Sequence, residues 1–467
     1  MRLPFATVAA VLLILSSSAN AAPSAAERDA LHVLNRVAYG PAPGDVARVA
    51  QMGVQRYIAS QLAPQQIAYP AALAERLAAL DIPNRSSGAA LAQLTELRRD
   101  VRDGDEGAKQ RRALAYKDMA RETAEARLLR ALYSPRQLEE VMVDFWFNHF
   151  NVFSGKGITR ALVAGYERDA IRPNVFGSFR AMLGATARHP AMLFYLDNHL
   201  SKAGAVNENY ARELMELHTL GVDGGYTQKD VTELARMLTG WTFAPAALAR
   251  ENQAFRFDAK RHDQQGKTWL GSVVAQKGEA EGEYALDVLA RHPATARHIA
   301  YKLAQYFVQD EPPAPLVERL ARSFHDSDGD IRSVLRTLFA SDEFMAPGSV
   351  GAKFKTPYRY VVSAARAGGG QMADMMPLLR SLNEQGMPLY GCATPDGYKN
   401  TEAAWLNPAA LTRRIAFAGA TGATLDAAAL EDSIGVGIGA HTRAIVAGSP
   451  VRLRAAMLLG SPEFMQH

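Results

Sequence analysis

The chain has 467 residues, 48% of them apolar and 21% charged, a globular balance that excludes global disorder and a short disulfide scaffold. Fifty-two Lys and Arg against 48 Asp and Glu leave a net charge of +4, too thin a surplus for the phosphate-seeking field of a nucleic-acid binder. One cysteine, Cys392, excludes an intramolecular disulfide and any cysteine-based zinc or iron–sulfur site, and reads as a buried, inert thiol.

Residues 1–21 begin with Arg2, run through an apolar stretch from Leu3 to Leu15 and end in small residues up to Ala21, the three parts of a secretory signal. Cleavage is expected after Ala21, with a periplasmic or secreted mature chain. No later segment offers the roughly 20 apolar residues of a spanning helix, so no transmembrane segment is expected after cleavage.

Helix signals then follow in chain order. Ser24 with Glu27 forms a capping box that opens 25–37. An amphipathic stretch runs over 45–62, and charged helices over 91–128 break around Asp103, Gly104, Asp105 and Gly107. Ser134, Pro135 and Gln137 read as N-cap, first-turn proline and capping partner of the helix carrying Asp144 to Phe150. Further helices are predicted at about 175–187, 208–220, 228–239, 293–308, 314–323, 330–340 and 402–417, and the best alternating run lies around Phe255 to Val274. The fold class is all-α, with long connecting loops and at most a small hairpin. The helical regions divide as 22–134, 135–345 and 346–467.

Two smaller signals resolve on spacing. Asp326, Asp328 and Asp330 suggest a calcium loop, but glycine stands fourth and Thr337 twelfth, where an EF-hand needs glycine sixth and glutamate twelfth. An Asp-Gly turn with Asp330 as N-cap of the next helix is the better reading. The strings TLFASDEFM at 337–345 and MLLGSPEFM at 457–465 read as one turn type used twice.

Chemistry-bearing residues concentrate between His149 and Trp241. On a helical wheel Asn209, Glu213 and Glu216, spaced i, i+4, i+7, share a stripe with Arg212 nearby, while His218 falls on the apolar side. Glu216 and His218 point roughly 160° apart and cannot hold one ion from an intact helix, so His218 reads as a core histidine. Two carboxylates one turn apart facing a cavity would raise one pKa or hold a hard cation; facing water they form a solvated stripe with Arg212 as counter-ion. His149, wedged among Phe145, Trp146, Phe147 and Phe150, is either a satisfied core residue or the imidazole of a site. His262 and Asp263 lie in a Gly-bearing loop of the kind that contacts ligands, or pin a turn. No G-x-S-x-G elbow, H-E-x-x-H helix, Walker loop or dinucleotide fingerprint is present, and the spacing names no metal and no cofactor.

FWFNHFNVFSGK at 145–156, HPAMLFYLDN at 189–198, NENYARELMELHTLGVDGGYT at 207–227, DVTELARMLTGW at 230–241 and PDGYKNTEAAWLNPAALTRRIAFA at 395–418 together resemble the bacterial family DUF1800. The resemblance spans most of the chain after residue 21 and implies a mostly helical, often exported protein. It carries over Asn148, His149, Asp197, Asn207, Glu208, Asn209, Arg212, Glu213, Glu216, Gly221, Gly240, Trp241 and Trp405 as motif positions. Pro395 to Tyr398 depart from the Gly-Trp-Pro turn more usual there. Two functions follow as expectations. In one, an acid–base enzyme, with or without assistance from a metal, uses His149, Asp197, Glu213 and Glu216, with Asn148, Asn207, Asn209, Arg212, His262 and Asp263 binding ligand. In the other, the chain docks a sulfatase-like protein of the DUF1501 family, whose genes often neighbour those of DUF1800.

Overall fold

The computed structural model describes residues 23–370 and 372–467, so the expected signal segment lies outside the described residues. Ser24 opens the first helix, Ala25–Val37, through the predicted reciprocal box with Glu27. Asp330 caps Ile331–Phe339 by accepting from Ser333 N–H at 2.7 Å, and Asp328 pairs with Arg291 at 2.9 Å, so this acidic turn is spent on structure. Ser341 and Ser461 cap the two short helices Asp342–Met345 and Pro462–Met465, each burying its phenylalanine, which is one turn type used twice. Twenty-six α-helices and two ribbons of two strands each make the described chain all-α. None of those helices is long and apolar enough to cross a membrane.

Several boundaries differ from the sequence reading for local reasons. The 45–62 stretch is two helices, Asp45–Met52 and Val54–Gln61, broken at Gly53, whose φ of +88° ends a helix. The 402–417 stretch divides where Asn407 and Pro408 start a new helix, Pro408–Gly422. The aromatic helix starts at Gln137 with Arg136 at its N-cap position, instead of being capped at Ser134. The Gln137 amide folds back to donate to the Ala131 and Ser134 carbonyls, closing the preceding helix, Ala108–Tyr133, instead of capping its own. The acidic helix is Asn209–Glu216, shorter than 208–220, because the N–H groups of Leu217 and His218 both turn onto the Glu213 carbonyl. Around Phe255 to Val274, Arg256–Phe257 pairs with Trp241–Thr242, and Thr268–Trp269 with Ser272–Val273 across Leu270 and Gly271, both at positive φ.

One apolar core runs from Ala30 to Met465, continuous across the 134/135 and 345/346 connections. Its middle is the aromatic helix Gln137–His149, fully buried at Trp146. An ionic network fixes this helix to its neighbours. Arg127 pairs with Asp144 at 2.6 Å and Glu167 at 3.5 Å, while Arg172 pairs with Glu140 at 2.8 Å and Glu167 at 3.1 Å. The hydroxyls of Tyr390 and Tyr306 donate to Glu167 and Asp144. With every carboxylate paired, burying these charges is tolerable, and their geometry fixes the angle at which the helix leaves the core. The site is built around Asn148 and His149, the last residues of this helix.

Candidate functional site

The helix end fixes a loop first. Asn148 donates through Nδ2 to the Tyr398 carbonyl at 2.8 Å and accepts from the Tyr398 N–H at 2.7 Å. Asn151 donates to the carbonyls of Cys392 at 3.0 Å and Thr394 at 2.8 Å, and the Tyr195 hydroxyl donates to Ala393 at 2.8 Å. Gly397 sits at φ +71°, and a Cβ there would strike the Asn148 carbonyl. Residues 392–398 therefore form a loop pinned by Asn148, Asn151 and Tyr195. The loop presents Asp396, which accepts from Thr394 and Lys399 at 2.6 Å each. Against the upward push of burial, these two donors hold its pKa below the ordinary range.

Asp396 acts electrostatically on two groups from other elements. The first is Glu213, whose pKa is raised by burial and then by Glu216, with Arg212 opposing the shift and Asp396 adding the smallest push. Its carboxylate takes no hydrogen bond among the described residues and is half-buried, as is Glu216. The second is Lys302, on the helix Pro293–Phe307, whose amine burial and Lys399 push down to about 8 while Asp396 opposes the shift. Lys302 likewise has no ion-pair partner among the described residues. One carboxyl is moved up and one amine is moved down, each within the electrostatic reach of Asp396, and shifts of this kind are what acid–base chemistry near neutral pH uses.

Behind them lie three imidazoles. The His149 ring lies 6.1 Å from that of His218 and 6.2 Å from that of His298, centroid to centroid. His149 Nε2 donates to the His218 carbonyl at 3.1 Å and His298 Nε2 to the Leu217 carbonyl at 3.3 Å. A carbonyl only accepts, so both rings carry their proton on Nε2, leaving His149 Nδ1 a buried lone pair without a partner. Burial, followed by the Lys302 charge, pushes His149 well below its usual pKa, His218 to about 3 and His298 to about 4. The rings are neutral, and two of them hold the turn that ends the acidic helix. No hydrogen bond or ion pair joins His149 to Glu213 or Glu216; its Nε2 instead holds the His218 carbonyl in the turn after the acidic helix.

A family model described as "Protein of unknown function (DUF1800)" matches residues 32–466. The chain belongs to DUF1800. No curated protein and no solved structure matches it.

The motif positions of this DUF1800 chain divide by task. Asp197, at φ +60°, pairs with Lys156 at 2.8 Å, whose amine also donates to the Tyr195 carbonyl at 2.6 Å. Asn207 accepts from the Asn209 N–H at 2.9 Å, and Asn209 donates to the Leu196 carbonyl at 3.3 Å, together starting the acidic helix. Arg212 pairs with Glu208 at 3.0 Å and donates to Gln228, while its charge still acts on Glu213 as the counter-ion the spacing suggested. His262 and Asp263 belong to a separate buried network. Asp263 takes two bonds from Arg236 at 3.0 and 3.2 Å, and His262 lies 2.8 Å from the Thr239 carbonyl and 3.4 Å from Glu281, itself paired with Lys267 at 2.8 Å.

Lys302, His298 and Tyr195 escaped the sequence reading, and Asp396 entered it only as part of the turn at 395–398. The signal available for the first two was their i, i+4 spacing on an otherwise apolar stretch of helix. Among the described residues no group of three or more His, Cys, Asp or Glu side chains is arranged to hold a metal ion.

Proposed function

We propose that this DUF1800 protein is an exported enzyme that performs acid–base chemistry on a cell-envelope or extracellular molecule. The observation that supports the reading is that Glu213, without a hydrogen-bond partner, is raised while Lys302, without an ion-pair partner, is lowered, with Asp396 acting on each. A carboxyl with a raised pKa delivers or takes up a proton readily, and an amine near 8 serves as its counterpart at working pH. Asn148, Asn151 and Tyr195 hold Asp396 in place, so the electrostatics are preorganised before any substrate arrives. The metal-assisted form of this reading would rest on the Glu213–Glu216 pair alone. Export rests on the character of residues 1–21.

One observation favours the second reading, a non-catalytic partner of a DUF1501-type protein. Many motif side chains, Asn148, Asn151, Asp197 and Asn207 among them, spend their polar atoms on internal bonds. Fractionated envelope and culture-medium extracts incubated with purified protein, followed by mass spectrometry, separate the two. The enzyme reading expects a species altered by the natural chain and left intact by Glu213→Gln and by Lys302→Met, both still folded. No altered species, with a DUF1501 protein co-purifying equally with all three chains, would favour docking.

A further inference from the structure

Far from the Glu213 cluster in sequence, the helices Pro357–Ala367, Met376–Glu384 and Pro408–Gly422 enclose a hollow of about 670 Å³. Its volume is within the range of about 300–1,000 Å³ usual for small-molecule sites. The walls are hydrocarbon, with Ala365, Pro377, Leu378, Phe417, Ala420 and Leu425 lining it. Leu378 and Phe417 are buried, so the hollow reaches the core and is not a surface dimple.

Its mouth carries Arg380 and Glu384, one turn apart on the same helix and both exposed. They form no ion pair with each other or with any other described residue. Arg before Glu is the weaker order for an i, i+4 pair, and Glu384 is the last helical residue, where the negative end of the helix dipole disfavours an anion. An ammonium group beside Glu384 would relieve that penalty, and an anion beside Arg380 would supply its absent partner. Thr421 on the facing helix and Thr424 just past its end add hydroxyls.

The geometry points to a binding site for a single-chain acyl amphiphile with a zwitterionic phosphate–ammonium head, its tail in the hollow and its head across Arg380 and Glu384. Binding is measured by isothermal titration calorimetry of the full-length exported chain, using lysophosphatidylethanolamines of increasing chain length at monomeric concentrations. Saturable binding of one molecule is expected, with affinity rising about fourfold per added methylene until the hollow is full. Ala420→Trp, which adds bulk at an exposed position on the wall, is expected to lower affinity at least tenfold while circular dichroism and Tm stay unchanged. Thr424→Trp serves as a second filling variant where the first fails to fold. Lysophosphatidylglycerol of equal chain length is expected to bind more weakly than the zwitterion, and Glu384→Gln to remove that preference. Affinity independent of chain length, or undiminished in a folded filling variant, would overturn the site; equal binding of the two head groups would overturn the zwitterion assignment.

Discussion

Asn148 places both ends of its side-chain amide on the backbone of Tyr398, at 2.8 and 2.7 Å, across 250 residues of sequence. The pair fixes the loop that presents Asp396, so its loss acts on both stability and site. Asn148→Asp keeps the size and removes the Nδ2 donor, setting a carboxylate against the Tyr398 carbonyl. A destabilisation of about 1–3 kcal/mol is expected in urea unfolding at neutral pH. Gly397→Ala should cost at least as much, because its Cβ meets backbone and φ is +71°. A Gly397→Ala protein as stable as the natural chain would show that the loop does not depend on this close approach.

The features legible in the sequence were the local ones. Ser24 with Glu27, Asp330, and the twin Ser341 and Ser461 caps are set by residues three positions apart, and each forms as read. The Asn209, Glu213, Glu216 stripe followed from helical repeat alone. What spacing could not supply was partner choice. Gln137 had both its own helix and the preceding one within reach, and the preceding helix took it. His149 looked chemical by residue type, yet its proton position is set by the His218 carbonyl, 69 residues away. Asp396 comes from a segment that shares no motif with Glu213 or Lys302, and only the fold brings its charge within range of each.

Acid sensitivity should concentrate in the imidazole cluster. His218 and His298 are held neutral down to about 3 and 4, whereas in the unfolded chain they protonate near 6.5. The unfolded state then binds more protons below pH 6.5, so their contribution is present above that value and is lost as pH falls toward 4. His218 makes no side-chain hydrogen bond and packs on Phe150 at 5.1 Å, which lets phenylalanine take its place. His218→Phe is expected to leave Tm at pH 7.5 within a few degrees and to flatten its decline between pH 6.5 and 4. An unchanged slope would place the acid-labile groups elsewhere.

Glu213 gives the opposite sign. Its pKa is raised in the folded protein above the ordinary 4.5, so the folded state holds the proton more tightly than the unfolded one. Stability from this group is full below pH 4.5 and is lost as pH rises through the folded value. Glu213→Gln should therefore raise Tm at pH 7.5 and leave it unchanged at pH 4, while abolishing whatever turnover the protein has. A glutamate whose removal destabilises at pH 7.5 would be a structural acid, and the proton-transfer role assigned to it would fall.

Lys302 supplies the last test, because its amine reports the site without a known substrate. Burial lowers its pKa from 10.5 to about 8, so between these values the unfolded chain binds the extra proton and stability rises with pH. Lys302→Met removes a charge that disfavours folding below pH 8. It should stabilise the protein at pH 7 by an amount on the order of 2–3 kcal/mol and lose that advantage by pH 10.5. The same amine should acylate with a midpoint near pH 8, well below the ordinary lysine value of about 10.4, as followed by peptide mass spectrometry after pulsed labelling. Asn148→Asp, by loosening the Asp396 loop, should shift that midpoint, since Asp396 is the carboxylate acting on the amine. Labelling of Lys302 indistinguishable from the surface lysines would remove the amine from the proposed acid–base pair and leave Glu213 without its counterpart.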